Sequence, residues 1–222
     1  MSFPFTVHQV AGSEALAKLA ELEGSGGGFP VILGDADEFE RVQGNFEGDG
    51  DQPVDDLIAA ALAIDPSNWF VDRQASDPEY YEIEDDEWPE QVGTNTHGLT
   101  SHLDVMTGQP HASVNIAMIP AAEAWMVPCY MRVGGWNECP NAEEHAALFK
   151  YWGEKYGAVV ACITGDVIEM KVARPPASRE AALELAKEQF LYCADIVDQG
   201  AESIEALAAG LLNAPVWFFW WD

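Results

Sequence analysis

The sequence predicts an α+β protein built on a mainly antiparallel or mixed sheet with flanking helices. Three observations predict it. Strand-like and helix-like runs follow one another without strict alternation, unlike a parallel βαβ series. Gly165-Asp166, set between two β-rich runs, has the form of a tight hairpin. Hydrophobic content of 48% with eight tryptophans supplies a large core. A chain of 222 residues therefore needs neither disulfide nor metal to fold.

Taken in order, Ser13 is placed to cap a helix over Glu14 to Glu23, with Leu16, Leu19 and Leu22 at helical spacing. Gly24 to Gly28 interrupts it as a flexible connector. Phe29 to Leu33 reads as a buried strand, and Gly34-Asp35-Ala36-Asp37 opens a short helix through Val42. A glycine-rich run ahead of a strand is the wrong order for a phosphate loop, so nucleotide binding is excluded here. Pro53 suits the first turn of a helix to Ile64. Asp49, Asp51, Asp55 and Asp56 do not make an EF-hand loop, because Pro53 and Val54 stand where an oxygen ligand and a glycine are required. Trp69 to Arg73 reads as a further strand.

Gly93 to Pro110 is irregular and, with its surroundings, carries His97, His102 and His111, which have no spacing that gathers them around a metal. Ala112 to Ile119 alternates as a strand, with Trp125 to Val133 as its expected partner. Asn141 and Glu144 form a capping box for a helix to Tyr156. Ala158–Thr164 and Val167–Ala173 flank the hairpin. Ser178 then introduces a long helix with Leu183, Ala186, Phe190, Cys193 and Val197 on one face, closed by Gln199-Gly200. A helix from Ser203 to Leu212 and a strand from Val216 to Trp221 follow. Residues 1–125 read as an acidic α/β region, packed separately or on the same core, and residues 126–222 as an α+β domain.

Charge bounds the function. Thirty-eight acids against ten bases give −28, and residues 1–131 hold 24 of the acids with three of the bases. Such a field repels nucleic acid and anionic membrane and attracts basic partners, although acidic bias or solubility accounts for it equally well. No apolar run approaches the ~20 residues of a membrane span. The start has no signal-peptide form, and Cys129, Cys139, Cys162 and Cys193 include no C-x-x-C pair. Reduced thiols, a cytoplasmic location and no cofactor are the expectations.

Asp77 to Glu90 holds eight acids and no bases, interleaved with aromatics. Tyr81, Glu84, Asp85, Asp86, Glu87 and Trp88 are the candidate docking surface for a basic protein. Cys139-Pro140 ahead of a helix N-terminus, with His145 in the first turn, is the best nucleophile–base pair, although a small buried hydrophobe is the simpler account of the cysteine. Gly134-Gly135-Trp136-Asn137 is either a ligand-approaching loop, with Trp136 to stack and Asn137 to bond, or a strand-ending turn. Asp195 and Asp198 would share a face if the long helix continued, as paired carboxylates do, yet they oppose its dipole there.

From Val127 to Asp222 the chain carries V-P-C-Y-M-R-V-G-G-W-N-E-C-P, Y-W-G-E-K-Y-G, I-T-G-D-V-I-E, A-R-P-P, Q-F-L-Y-C-A-D-I-V-D-Q-G and P-V-W-F-F-W-W-D. In order and spacing this segment resembles the bacterial family catalogued as domain of unknown function 4253. The resemblance implies no reaction, ligand or catalytic residue. The expectation is therefore a non-enzymatic acidic interaction protein, an inhibitor or immunity-type protein masking a basic partner. The alternatives are a small hydrolase-like enzyme using Cys139/His145 or a carboxylate site, and a small-molecule binding domain around Trp136.

Overall fold

A computed structural model describes residues 3–47, 52–83, 86–90 and 98–222. Its centre is a six-stranded mixed sheet in the order β1-β3-β2-β4-β5-β6. The strands are β1 Thr6–Val10, β2 Phe29–Ile32, β3 Val114–Ile119, β4 Ala158–Ile163, β5 Val167–Val172 and β6 Val216–Trp220. Every neighbouring pair is antiparallel except β2–β4, which joins in parallel through Ile32 and Cys162. The fold is thus α+β, with a mostly antiparallel sheet. Strands from both the acidic first half and the C-terminal part contribute to this one sheet.

The helices are α1 Ala15–Ser25, α2 Ala36–Gly44, α3 Val54–Ala63, α4 Pro66–Ser76, α5 Val127–Met131, α6 Ala142–Tyr156, α7 Arg179–Tyr192 and α8 Ile204–Leu211. Because strand side chains alternate between faces, Val31 and Ala117 join one apolar cluster while Ile32 and Ile116 join another. The larger cluster holds residues of α3, α5, α6, α7 and α8. The smaller is closed by Ala15, Leu19 and Leu22 of α1 and by Leu99. Trp152, Trp217 and Phe219 anchor the larger one, with the Trp152 and Phe219 rings parallel at 5.8 Å. Each such burial contributes on the order of 2–3 kcal/mol.

The elements depart from the sequence expectations at specific places. Residues 69–73 are helical, within α4. Asp65 accepts hydrogen bonds from the Ser67 and Asn68 amides and Pro66 occupies the first turn, so a strong local cap outweighs the β-forming side chains. Residues 125–133 are not a strand but a 3-10 turn, Ala124–Met126, running into α5, with Pro128 again in the first turn. The partners of β3 are β1 and β2. Helix α1 starts from the 3-10 turn Gly12–Glu14 with no side-chain cap, so Ser13 does not serve as one. Finally, α7 ends at Tyr192: Cys193 is extended, and a π turn at Val197–Ala201 precedes α8.

Candidate functional site

Loop 132–141 carries most of the chemistry, and its glycines set its path. Gly134 has φ +93°, and a side chain there would collide with the Pro140 carbonyl and reach 2.9 Å from His145 Nε2. The Gly135 amide bonds the Pro140 carbonyl at 3.1 Å. The loop therefore folds flat onto His145, a course that only glycine permits at position 134. Asn141 and Glu144 close the expected capping box of α6. That box turns His145 inward in the first turn.

His145 is fully buried, with Nε2 at 3.4 Å from Cys139 Sγ and Nδ1 at 2.6 Å from the Tyr192 hydroxyl. The rings of Phe149, Tyr192 and Trp221 surround it. Burial without a compensating charge pushes the imidazole down to about 3 and the Cys139 thiol and Tyr192 hydroxyl well up. All three are neutral at pH 7. Here desolvation outweighs the helix dipole, so Cys139 and His145 are adjacent, as expected, yet do not form a thiolate–imidazolium pair. Cys139 and Trp136 line a cleft with Trp221, Thr164 and Asp166 that has room for about one water molecule.

Trp136 is half-buried, and Asn137 adopts φ 46°, a left-handed conformation that asparagine tolerates well. Asn137 Nδ2 donates to the Asp222 carbonyl at 2.7 Å, and the Asp222 amide donates to Asp195 Oδ2 at 3.0 Å. Gln199 donates to the other oxygen of Asp195. Four sequence candidates, Trp136, Asn137, Asp195 and Asp198, thus meet where the loop, the end of β6 and the segment after α7 converge. The long helix does not continue to the two acids: Cys193 is extended, its thiol donating to the Trp220 carbonyl at 3.0 Å, and Asp195 and Asp198 lie on the separate turn that follows it. Asp195 is occupied by backbone and amide bonds. Asp198 is exposed, and burial together with the Asp195 charge raises its carboxyl.

Tyr81, read from sequence as part of an exposed surface, is buried instead. Its hydroxyl donates to Glu138 at 3.2 Å, and Arg73 lies 5.1 Å over its ring. Tyr80 is the exposed member of the pair, at 40%. Burial, then the charges of Asp198, Asp195 and Glu138, raise the Tyr80 hydroxyl, against the opposing charge of Arg73. Arg73 pairs with Glu138 at 3.0 Å and donates to the Leu191 and Glu138 carbonyls, fastening α4 to the end of α7. Neither Tyr80 nor Arg73 stands out in the sequence, since their roles depend on contacts with residues far along the chain.

Asp86 and Glu87 are exposed, while Trp88 is half-buried beneath Arg179 at 4.5 Å. Glu84, Asp85, Asp49, Asp51 and His97 lie outside the described residues. His102 is buried, and His111 sits 3.5 Å from Asp35. Among the described residues no group of three or more His, Cys, Asp and Glu side chains is placed to hold a metal ion. Sequence reasoning also passed over Glu169, a carboxylate only 1% exposed in β5. The signal was available: it is an acid inside an otherwise apolar stretch, V-I-E-M, of a central strand.

No curated protein and no solved structure matches the chain. The family model described as Domain of unknown function (DUF4253) matches residues 115–222, the part that runs from β3 through β6 and holds Cys139, His145, Asp195 and Asp198.

Proposed function

We propose that this chain is a non-enzymatic, cytoplasmic interaction protein that binds a basic protein through an acidic face, as an inhibitor or immunity-type protein does. The observation that carries the reading is an excess of acids, net −28, that leaves Glu79 and Asp198 exposed along with the ring of Tyr80. An incoming lysine or arginine would find a π face and carboxylates together. It would also offset the burial and the Asp195 charge that raise the Asp198 carboxyl. The net charge of −28 would speed the encounter over distances of about a Debye length.

The test is capture from native lysate at low and high salt, comparing wild type with Glu79→Gln/Asp198→Asn, which neutralises Asp198 and the exposed acid that precedes Tyr80. A basic protein retained by wild type at low salt, and weakened by the variant and by salt, is the expected result. Equal retention by both proteins, or retention of no basic protein, contradicts the reading. A second reading, a thiol enzyme, is favoured by one observation, the 3.4 Å Cys139–His145 contact beside a cleft. It requires His145 to hold a proton near neutral pH, which its burial opposes.

A further inference from the structure

Residues 98–111 form a finger on the α1 side of the sheet, and most of its order is concentrated at the base. Leu99 is buried in the smaller core. The Thr100 amide and hydroxyl donate to Glu169 Oε1 at 2.7 and 2.8 Å. The Ser101 amide and hydroxyl donate to Glu169 Oε2 at 2.9 and 2.6 Å. One buried carboxylate thus holds the base with four hydrogen bonds, the charge-assisted kind that is strongest in a desolvated site. The His111 amide donates to the His102 carbonyl at 3.0 Å, and the Gly12 amide to that of His111 at 2.9 Å. A side chain at Gly12 would collide with both backbones.

Above the base, Leu103 bridges Pro110, and the Asp104 carboxylate accepts from the Thr107 amide and hydroxyl, each at 2.7 Å. At the tip stand Val105 and Met106, 94% and 88% exposed. A single exposed apolar residue is ordinary; two adjacent ones on a fixed turn, pointing away from the core, are not. Their position gains nothing for folding. For binding it is useful, because the ordering cost is already met by the base, and methionine adapts to an irregular pocket.

We infer that this finger is a contact element that inserts Val105 and Met106 into an apolar pocket of a partner protein, with lysine or arginine at the pocket rim. Charge complementarity identifies the rim. Part-exposed Asp104 lies in the finger, part-exposed Asp35 meets its His111 at 3.5 Å, and exposed Glu14 follows Gly12, which bonds its base, while Lys18 and Lys171 are paired with Glu21 and Glu23. The same charge disfavours insertion into an anionic membrane. The basic character of the partner rests on the function proposed above; the finger as contact element does not.

The experiment places the photo-crosslinker p-benzoylphenylalanine at Met106 of the full chain, with a control at exposed Leu62, and irradiates both in native lysate. The crosslinked protein is identified, purified and titrated against wild type and Val105→Ser/Met106→Ser. A protein captured from position 106 and not from 62, whose affinity falls about tenfold or more in the variant at unchanged Tm, is expected. The inference is overturned by no protein crosslink, by equal capture from both positions or by unchanged affinity. It is also overturned if the crosslink is to lipid and wild type sediments with phosphatidylglycerol–phosphatidylcholine vesicles. A finger-dependent partner that is not basic overall but carries lysine or arginine at the pocket rim sinks the acidic-face reading alone. A basic partner weakened by Glu79→Gln/Asp198→Asn but not by the finger variant sinks the finger alone.

Discussion

His145 shows how far burial decides chemistry at the scale of one residue. Its imidazole falls from an ordinary 6.5 to about 3 because no charge or solvent compensates its desolvation. Between those values the unfolded chain binds a proton that the folded protein refuses. Stability therefore rises with pH across that window and is lost as pH falls from about 6.5 toward 3, at up to ~1.4 kcal/mol per unit. We predict that between pH 7 and 4 wild type loses more unfolding free energy than His145→Gln, as read by urea denaturation. Parallel curves would mean that His145 does not titrate as a buried neutral group, and would restore the imidazolium that a thiol enzyme needs. The Cys139–His145 adjacency was legible because both residues flank one helix cap. Tyr192, which completes the chain at 2.6 Å, was not, since 47 residues separate it from His145.

Among the elements, those the sequence specified locally were readable: the capping box of α6, the Gly165-Asp166 hairpin and the period-2 alternation of β3. The misread segments, residues 69–73 and 125–133, share a composition of tryptophan, valine and tyrosine or phenylalanine that suits either state. What decided them was a proline in the first helical turn, joined in α4 by an Asp cap, short signals that outweigh side-chain preference. Edge strand β1 has only shallow burial, so its pattern carried little information. The finger depends on a long-range partner that periodicity cannot reveal. Because Glu169 accepts four bonds there, Glu169→Gln replaces one acceptor oxygen with a donor and strands two Ser101 or Thr100 donors. We expect a loss of about 1–3 kcal/mol in stability. Amide exchange at Thr100 and Ser101 should quicken with it; unchanged exchange would show that the base of the finger does not rely on this carboxylate.

Over the whole molecule, fold class followed from composition and the order of elements, while the layout of charge did not. Sequence reading pointed to Asp77–Glu90 as a continuous docking strip. In three dimensions Trp88 is tied down under Arg179 and Tyr81 is buried, while Tyr80 stays exposed on α4's C-terminal flank, which Arg73 ties to loop 132–141 and the end of α7. Arg73 and the shared sheet make that assembly possible, because they fix the acidic first half against the C-terminal part. A face built from both parts with a net charge of −28 should act first on the rate of encounter. The most direct test is the association rate with the purified partner, followed by stopped flow between about 20 and about 200 mM salt. The account predicts a rate that falls about tenfold or more across that range in wild type, and a clearly shallower fall in Glu79→Gln/Asp198→Asn. A salt-independent rate, or equal slopes for the two proteins, would contradict it.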